Sequence, residues 1–414
     1  MSSAAFRDLA RRNPQDFTRD RDLPLPRLIA MMLNFRKGTI EDELDQFFET
    51  LSGQQLAPSV TPAAFCKARQ KLDPSAFLAL NQALLDSTHR HLPRRLWHGM
   101  RLLAVDGSTA RLPDTDPIRA TFGGPGDSRV PMARFSRLYD VLNEQVVWAD
   151  MDPYASAERD LAALYLLRLG ADDLVLYDRG YPAFWLLAYH MEEQRQFCAR
   201  AKLDFHPQIE AFVASKARSK VVVLKPSDKS ATQCKAYDID SRPMTVRLVR
   251  VDLKGGETEV LITSLVDKQA FPSRWFAKLY HLRWGVEENY KREKSRLEIE
   301  NFSGRTVLSV RQDFYAKIVA LNIASVFSNL AQWLVDERHG ERRRAYRVNF
   351  ANALSKMKNN LVRLLLDAVT VDIGWRLVEK MALCTEAVRP SRSFPRDPRK
   401  VHVKEFHGNY KRTR

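Results

Sequence analysis

Two acidic residues, Asp106 and Asp178, each close a short apolar run just before a turn: LLAVD leads into Gly107, and LVLYD leads into Arg179-Gly180. A buried β-run of this kind projects a side chain at the carboxyl edge of a sheet, a usual place for ligands. Adjacent parallel strands would bring the two carboxylates together. Carboxylate oxygens hold hard divalent cations, and two such ions about 3.5–4 Å apart can activate an attacking oxygen while stabilising a leaving one, as phosphodiester cleavage requires. Three acidic residues from separate elements suffice. Each Asp taken singly also fits a strand-end turn residue before Gly, and the repetition of the context in the same order weighs against that reading. Asp172 and Asp173 rival Asp178, but they precede the apolar run and more naturally start the strand. Asp114, Asp116, Asp150 and Asp152 lack the apolar context.

The third carboxylate is sought in YHLRWGVEENYKREK. Tyr280, Arg283, Glu287 and Lys294 are offset by 0, 3, 7 and 14 positions, which at about 100° per residue places them within roughly 60° of one helix face. Leu279, Leu282, Val286, Tyr290 and Leu297 form an adjoining apolar stripe. Such a helix packs by one side and offers a Tyr, an Arg, a Glu and a Lys from the next. A plain amphipathic helix with a salt-bridged polar face accounts for the periodicity equally well.

The elements that must position these residues follow from pattern. Residues 1–98 read as helical, with helical spacing in LPLPRLIAMMLNF and IEDELDQFFETL. Thr61-Pro62 opens a further helix as N-cap and first-turn proline. That helix carries Lys67, Arg69 and Lys71 among apolar neighbours, which suits either a DNA-binding helical domain or a solvated basic face. From 99 to 202 the order is β-β-β-α-β-α-β, with ARFSRLYDVL and QVVWADM as a hairpin about Asn143-Glu144. This order fits a mixed sheet with helices on its faces, of the ribonuclease H-like kind. Residues 203–268 contain VVVLK, MTVRLVRVDL and EVLITSL, three β-rich runs expected to make a small inserted sheet. A helix is predicted from Pro272 to about Leu297 within a 269–305 segment, followed by a helical region at 306–388. Arg389–Arg414 has nine Lys/Arg against two acidic residues and three prolines, and reads as a basic tail.

With 66 Lys+Arg against 50 Asp+Glu, the formal charge is +16, which points to a polyanionic partner. Nucleic acid is favoured over a membrane, because the longest apolar run, around Leu28–Leu33, falls far short of the ~20 residues of a span. The four cysteines (Cys66, Cys198, Cys234, Cys384) are far apart with no CxxC pair, so neither a zinc site nor a disulfide framework is expected. The charged N-terminus lacks the apolar stretch of a signal peptide, giving a cytoplasmic, nucleoid-associated protein as the expectation.

The pattern Y-x(2)-R-x(3)-E-x(6)-K, as Tyr280, Arg283, Glu287 and Lys294, resembles the motif of DDE transposases of the insertion sequence 4 family, found in bacteria. The resemblance takes in VDGSTARLPDT around Asp106, YDRGYPAFWLL around Asp178 and ENFSGRT after the motif. It implies a ribonuclease H-like catalytic core with a β-rich subdomain inserted between the second Asp and the Glu, flanked by helical N-terminal and C-terminal regions. It further implies that Asp106, Asp178 and Glu287 are catalytic and hold two Mg²⁺ ions, which Mn²⁺ can replace. Tyr280, Arg283 and Lys294 would contact phosphates of DNA. Trp284 matches an aromatic of some relatives and would stack on a distorted base; a core aromatic is the alternative. The implied reaction is cut-and-paste transposition on terminal inverted repeats and target DNA, in a synaptic complex expected to contain a homodimer. Studied relatives pass through a hairpin intermediate in which a Trp of the insertion captures a flipped base. This chain has no Trp between Trp185 and Trp275, so that role is unassigned.

Other functions compete on the same residues. A domesticated or inactive DNA-binding relative would not need the three acids. A ribonuclease H-like nuclease would not need the Tyr, Arg and Lys beside them. A paired-carboxylate glycosidase gains nothing from the positive charge.

Overall fold

The computed structural model describes residues 1, 3–19, 21–34, 38–56, 59–126, 130–252, 258–283, 300–340, 344–367 and 370–388. The chain divides into two compact units, one of Met1–Leu92, Ala110–Ala133 and Arg292–Arg414, the other of Pro93–Thr109 and Arg134–Lys291.

The first unit opens with helices α1 (Ala4–Ala10), α2 (Leu25–Leu33), α3 (Ile40–Ser52), α4 (Pro62–Arg69) and α5 (Ser75–His91). Their ends follow from local chemistry. The Thr61 hydroxyl accepts from the Ala64 N–H at 3.2 Å with Pro62 in the first turn, the start expected from sequence. Thr39 caps α3 likewise, and Gly53 ends that helix in the left-handed conformation, φ 68°. In α2 the run LPRLIAMML is buried at seven positions, which makes it a core helix rather than an amphipathic one. A short α6 (Asp116–Phe122) also belongs here.

A helix of 33 residues, Val307–His339, runs through this unit. It exceeds the longest apolar stretch noted in the sequence and is long and apolar enough to cross a membrane. Several of its buried polar groups are matched inside the fold. Arg69, 4% exposed, donates from Nε to Gln312 Oε1 (3.0 Å), from Nη2 to Asp313 Oδ1 (2.9 Å) and from Nη1 to Ser303 Oγ (2.7 Å). Asn322 donates to Asn81 Oδ1 at 2.6 Å. Such pairing is what burial of polar groups requires. Arg69 is therefore a structural cation, while Lys67 on the same helix is exposed. Beyond the long helix lie Phe350–Met357, Asn360–Leu366, Thr370–Ala382 and an antiparallel ribbon of Tyr346–Val348 with Thr385–Ala387.

The second unit is built on one eight-stranded sheet: β1 (Arg101–Arg111), β2 (Met132–Asp140), β3 (Gln145–Pro153), β4 (Asp173–Tyr177), β5 (Gln196–Ala201), β6 (Ser219–Leu224), β7 (Met244–Asp252) and β8 (Thr258–Thr263). Their order in the sheet is β3-β2-β1-β4-β5-β8-β7-β6. Strands β1, β4 and β5 are parallel neighbours. Helices α7 (Glu158–Leu166) and α8 (Phe184–Glu192) supply the connections between β3, β4 and β5. The three β-rich runs of residues 203–268 do not form a separate sheet. β8 pairs antiparallel with β5, β7 with β8 and β6 with β7, so the insertion continues the sheet past β5. Pairing here removes the exposed edge that β5 would otherwise present. Helices α9 (Pro207–Ala214) and α10 (Asp228–Ala236) interrupt these strands, and α11 (Phe276–Leu282) follows a 3₁₀ turn at Ser273–Trp275. The apolar core joins Val105, Val175, Tyr177 and Phe197 of the sheet to Tyr165 and Leu166 of α7 and to Trp185 and Leu187 of α8.

Candidate active site

The register between β1 and β4 brings the runs that lead to the two sequence-predicted aspartates side by side. Arg101 pairs with Asp173 and Ala104 with Leu176, a constant offset of 72 (173 − 101 and 176 − 104). The pairing ends there: Asp106 lies two residues further along β1, which continues to Arg111, and Asp178 directly follows the end of β4 at Tyr177. Two positions is one full pleat, so the Asp106 side chain leaves the sheet on the side taken by Ala104. Neighbouring strands are about 4.8 Å apart.

The backbone beside each aspartate is anchored by neighbouring side chains. Tyr177, immediately before Asp178, is fully buried and its hydroxyl lies 2.9 Å from His190 Nε2. His190 Nδ1 lies 3.1 Å from the Arg195 carbonyl, which can only accept, so Nδ1 carries the proton and Nε2 accepts from Tyr177. Burial lowers the His190 pKa to about 4 and raises that of Tyr177, which keeps both groups neutral. On β1, a Cβ added to Gly107 would stand 2.9 Å from Cδ and 3.1 Å from Oε1 of Glu158, so the carboxylate of α7 packs directly on the backbone after Asp106. Arg134 holds that carboxylate in a close ion pair and also donates from Nε to the Tyr154 carbonyl at 3.3 Å. Neither Glu158 nor Arg134 stands out in the sequence, where Glu158 reads as an ordinary first-turn acid.

Tyr280 and Arg283 approach Asp178 from α11 and its C-cap. The Tyr280 hydroxyl is 3.4 Å from Asp178 Oδ1, and Arg283 Nη2 is 3.8 Å from the same oxygen. The Arg283 guanidinium also lies over the Tyr280 ring, 5.7 Å from its centroid. Both residues are 4% exposed, whereas the Asp178 side chain is 42% exposed. Asp178 is thus open to solvent on one side and faces a cation and a phenol on the other. Burial, more than the charges around it, pushes the Tyr280 pKa up, so the phenol keeps its proton. Trp284, Glu287 and Lys294 lie outside the described residues. Among the described residues no group of three or more His, Cys, Asp or Glu side chains is clustered as a metal site.

Several rival acids have structural partners. Asp173 is locked to Arg101 by contacts of 2.7 and 2.6 Å at the start of β4, as its place before the apolar run predicts. Asp114 pairs closely with Arg119, and Asp150 accepts from Trp148 Nε1 at 3.1 Å. Cys198 is fully buried, which pushes its thiol up to about 12.

A family model described as the transposase DDE domain matches residues 97–323. The chain is 26% identical over 318 residues to the transposase InsG for insertion sequence element IS4 of Escherichia coli (strain K12), spanning 74% of this chain and 70% of that protein. It is 26% identical over 168 residues to the putative transposase InsZ of the same organism, spanning 39% of this chain and 55% of that one. A solved structure of the piggyBac transposase synaptic complex with hairpin DNA matches at a TM-score of 0.41 and 14% identity, over 90% of this chain and 79% of that one. The chain belongs to the transposase DDE domain family, as a DDE transposase of the insertion sequence 4 family.

Proposed function

We propose that this protein cleaves DNA strands at the ends of an insertion sequence and joins them to target DNA in a divalent-metal-dependent reaction. The observation that carries the proposal is the parallel pairing of β1, which contains Asp106, with β4, which Asp178 directly follows, in a chain of the DDE family. Five strands in the order β3-β2-β1-β4-β5, with β1, β4 and β5 parallel, support a ribonuclease H-like core, with β6–β8 as its insertion.

Asp106 and Asp178 offer the carboxylate oxygens that Mg²⁺ or Mn²⁺ takes, with Glu287 of the Tyr-Arg-Glu-Lys motif as the third ligand. Two ions there would supply activation of the attacking oxygen and stabilisation of the leaving one. The chain's own groups do the rest. Arg283 holds a permanent positive charge beside Asp178 and can pass part of it to a substrate phosphate. Tyr280, protonated and fixed, donates a hydrogen bond at the same edge. Lys294 and Trp284 follow on the motif segment as phosphate and base contacts.

The helical segment 1–98 is assigned to end recognition, 99–202 and 269–305 to the catalytic core, 203–268 to the insertion, 306–388 to a helical support and 389–414 to a basic tail. The +16 charge supports DNA as the partner, both as terminal inverted repeats and as target. Joining two ends calls for two copies in a synaptic complex acting on cytoplasmic, nucleoid DNA. The test is strand cleavage of a duplex carrying the element's end, with Mg²⁺ and without. Cleavage only with Mg²⁺, lost in Glu287→Gln, supports the proposal, and cleavage that survives in that variant removes Glu287 from the site.

A further inference from the structure

A cavity of about 490 Å³ opens at the carboxyl end of β5, with Arg179, Arg200, Lys202, Asp204, Glu259 and Val260 in its wall. Its size lies in the range of about 300–1,000 Å³ typical of ligand clefts. It adjoins the candidate active site by register. Tyr177 of β4 pairs with Ala199 of β5, and these are the residues directly before Asp178 and Arg200. Arg179, next in sequence to Asp178, lines the same cavity.

The charges are not evenly matched. Glu259 of β8 is engaged by Arg200 at 2.9 Å. That leaves Arg179 and Lys202, both exposed, against the exposed Asp204. Val260 and Ala201, both buried, make an apolar floor under these cations. A cationic rim above an apolar floor suits a sugar–phosphate chain, in which anionic oxygens alternate with carbon-rich rings.

We infer that this cleft binds the phosphodiester backbone of the DNA strand leading away from the scissile phosphate, with Arg179 and Lys202 contacting its phosphates. The inference rests on the proposed function and adds to it a path for the strand beyond β4. Neither cation belongs to the Tyr-Arg-Glu-Lys motif.

The test compares wild type with the Arg179→Gln, Lys202→Gln double variant in fluorescence anisotropy on a labelled end duplex, without divalent ions, across a series of salt concentrations. Two lost phosphate contacts are expected to make the slope of log affinity against log salt shallower by about two units. A second duplex, cut off at the scissile phosphate so that no strand reaches the cleft, should bind both proteins with the same slope. An unchanged slope on the long duplex, or an equal loss on the short one, overturns the inference. Unchanged circular dichroism and thermal midpoint are expected, since both side chains are exposed. Wild-type cleavage in Mg²⁺ is scored separately: if it is absent the proposed reaction falls, while the slopes still decide whether the cleft holds DNA.

Discussion

The Tyr280 hydroxyl lies 3.4 Å from Asp178 Oδ1, and Arg283 Nη2 lies 3.8 Å from that same oxygen. A residue offered by the motif as a DNA contact thus also faces a candidate metal-holding carboxylate. Removing the hydroxyl while keeping the ring isolates this link. Tyr280→Phe is expected to slow single-turnover cleavage about tenfold, the effect of one hydrogen bond of ~1.4 kcal/mol made in the transition state. A rate equal to wild type would show that the hydroxyl plays no part in the reaction.

Gly107 has no room for a side chain. A methyl group there meets the Glu158 carboxylate at 2.9 Å, and Arg134 restrains that carboxylate on its other side. Gly107→Ala must therefore shift either Glu158 or the backbone that carries Asp106. Cleavage should fall by a factor on the order of 10², with the Mg²⁺ concentration for half-maximal rate raised. Glu158→Ala in the same chain should recover part of the loss by vacating the space. If the double variant is no faster than Gly107→Ala, the clash is not the cause.

Arg69 is predicted to matter for stability rather than for DNA. Its guanidinium is bound to Gln312, Asp313 and Ser303 while 4% exposed. Arg69→Met leaves Asp313 buried without its cation, and should cost about 3–5 kcal/mol in urea unfolding. Lys67→Gln, on the exposed side of the same helix, should stay within about 0.5 kcal/mol of wild type. Equal effects of the two substitutions would contradict the assignment.

His190 gives the fold a pH dependence of definite sign. Its pKa is about 4 in the folded chain against 6.5 unfolded, because burial disfavours the imidazolium. Between these values the unfolded chain binds the extra proton, so this contribution is full above pH 6.5 and is lost as pH falls toward 4. Comparison with His190→Phe cancels the other titrating groups. From pH 7 to pH 4 wild type should lose on the order of 3 kcal/mol more than the variant. Parallel curves would mean that His190 titrates normally.

The legible features were the local ones. The Thr61 cap, the QFCARA strand and the LVLY run that ends before Asp178 each depend on a few adjacent residues and stand where the sequence placed them, whereas β1 runs on through Asp106 to Arg111 and the turn expected at Gly107 does not form. Long-range pairings left no local trace. Nothing in VVVLK or EVLITSL states that these runs extend the main sheet, since that depends on β8 finding the edge of β5. The Arg69–Asp313 pair spans 244 positions, so Arg69 read as one more basic residue of a helix that suited either DNA binding or a solvated face. Glu158 was overlooked for a similar reason: its closeness to Gly107 arises from the packing of α7 on β1, and an acid in a first helical turn is commonplace. The motif residues Trp284, Glu287 and Lys294 lie outside the described residues, so their part in the site rests on sequence.

The paired aspartates carry the central claim, and a side-by-side cleavage and binding measurement on Asp106→Asn and Asp178→Asn tests it most directly. Each substitution keeps the side chain's shape and removes the charge that holds a cation. Both variants should show no Mg²⁺-dependent strand cleavage above background while binding the end duplex within about threefold of wild type, a difference under 1 kcal/mol. Mg²⁺-dependent cleavage at the wild-type rate by either variant would contradict the claim for that residue.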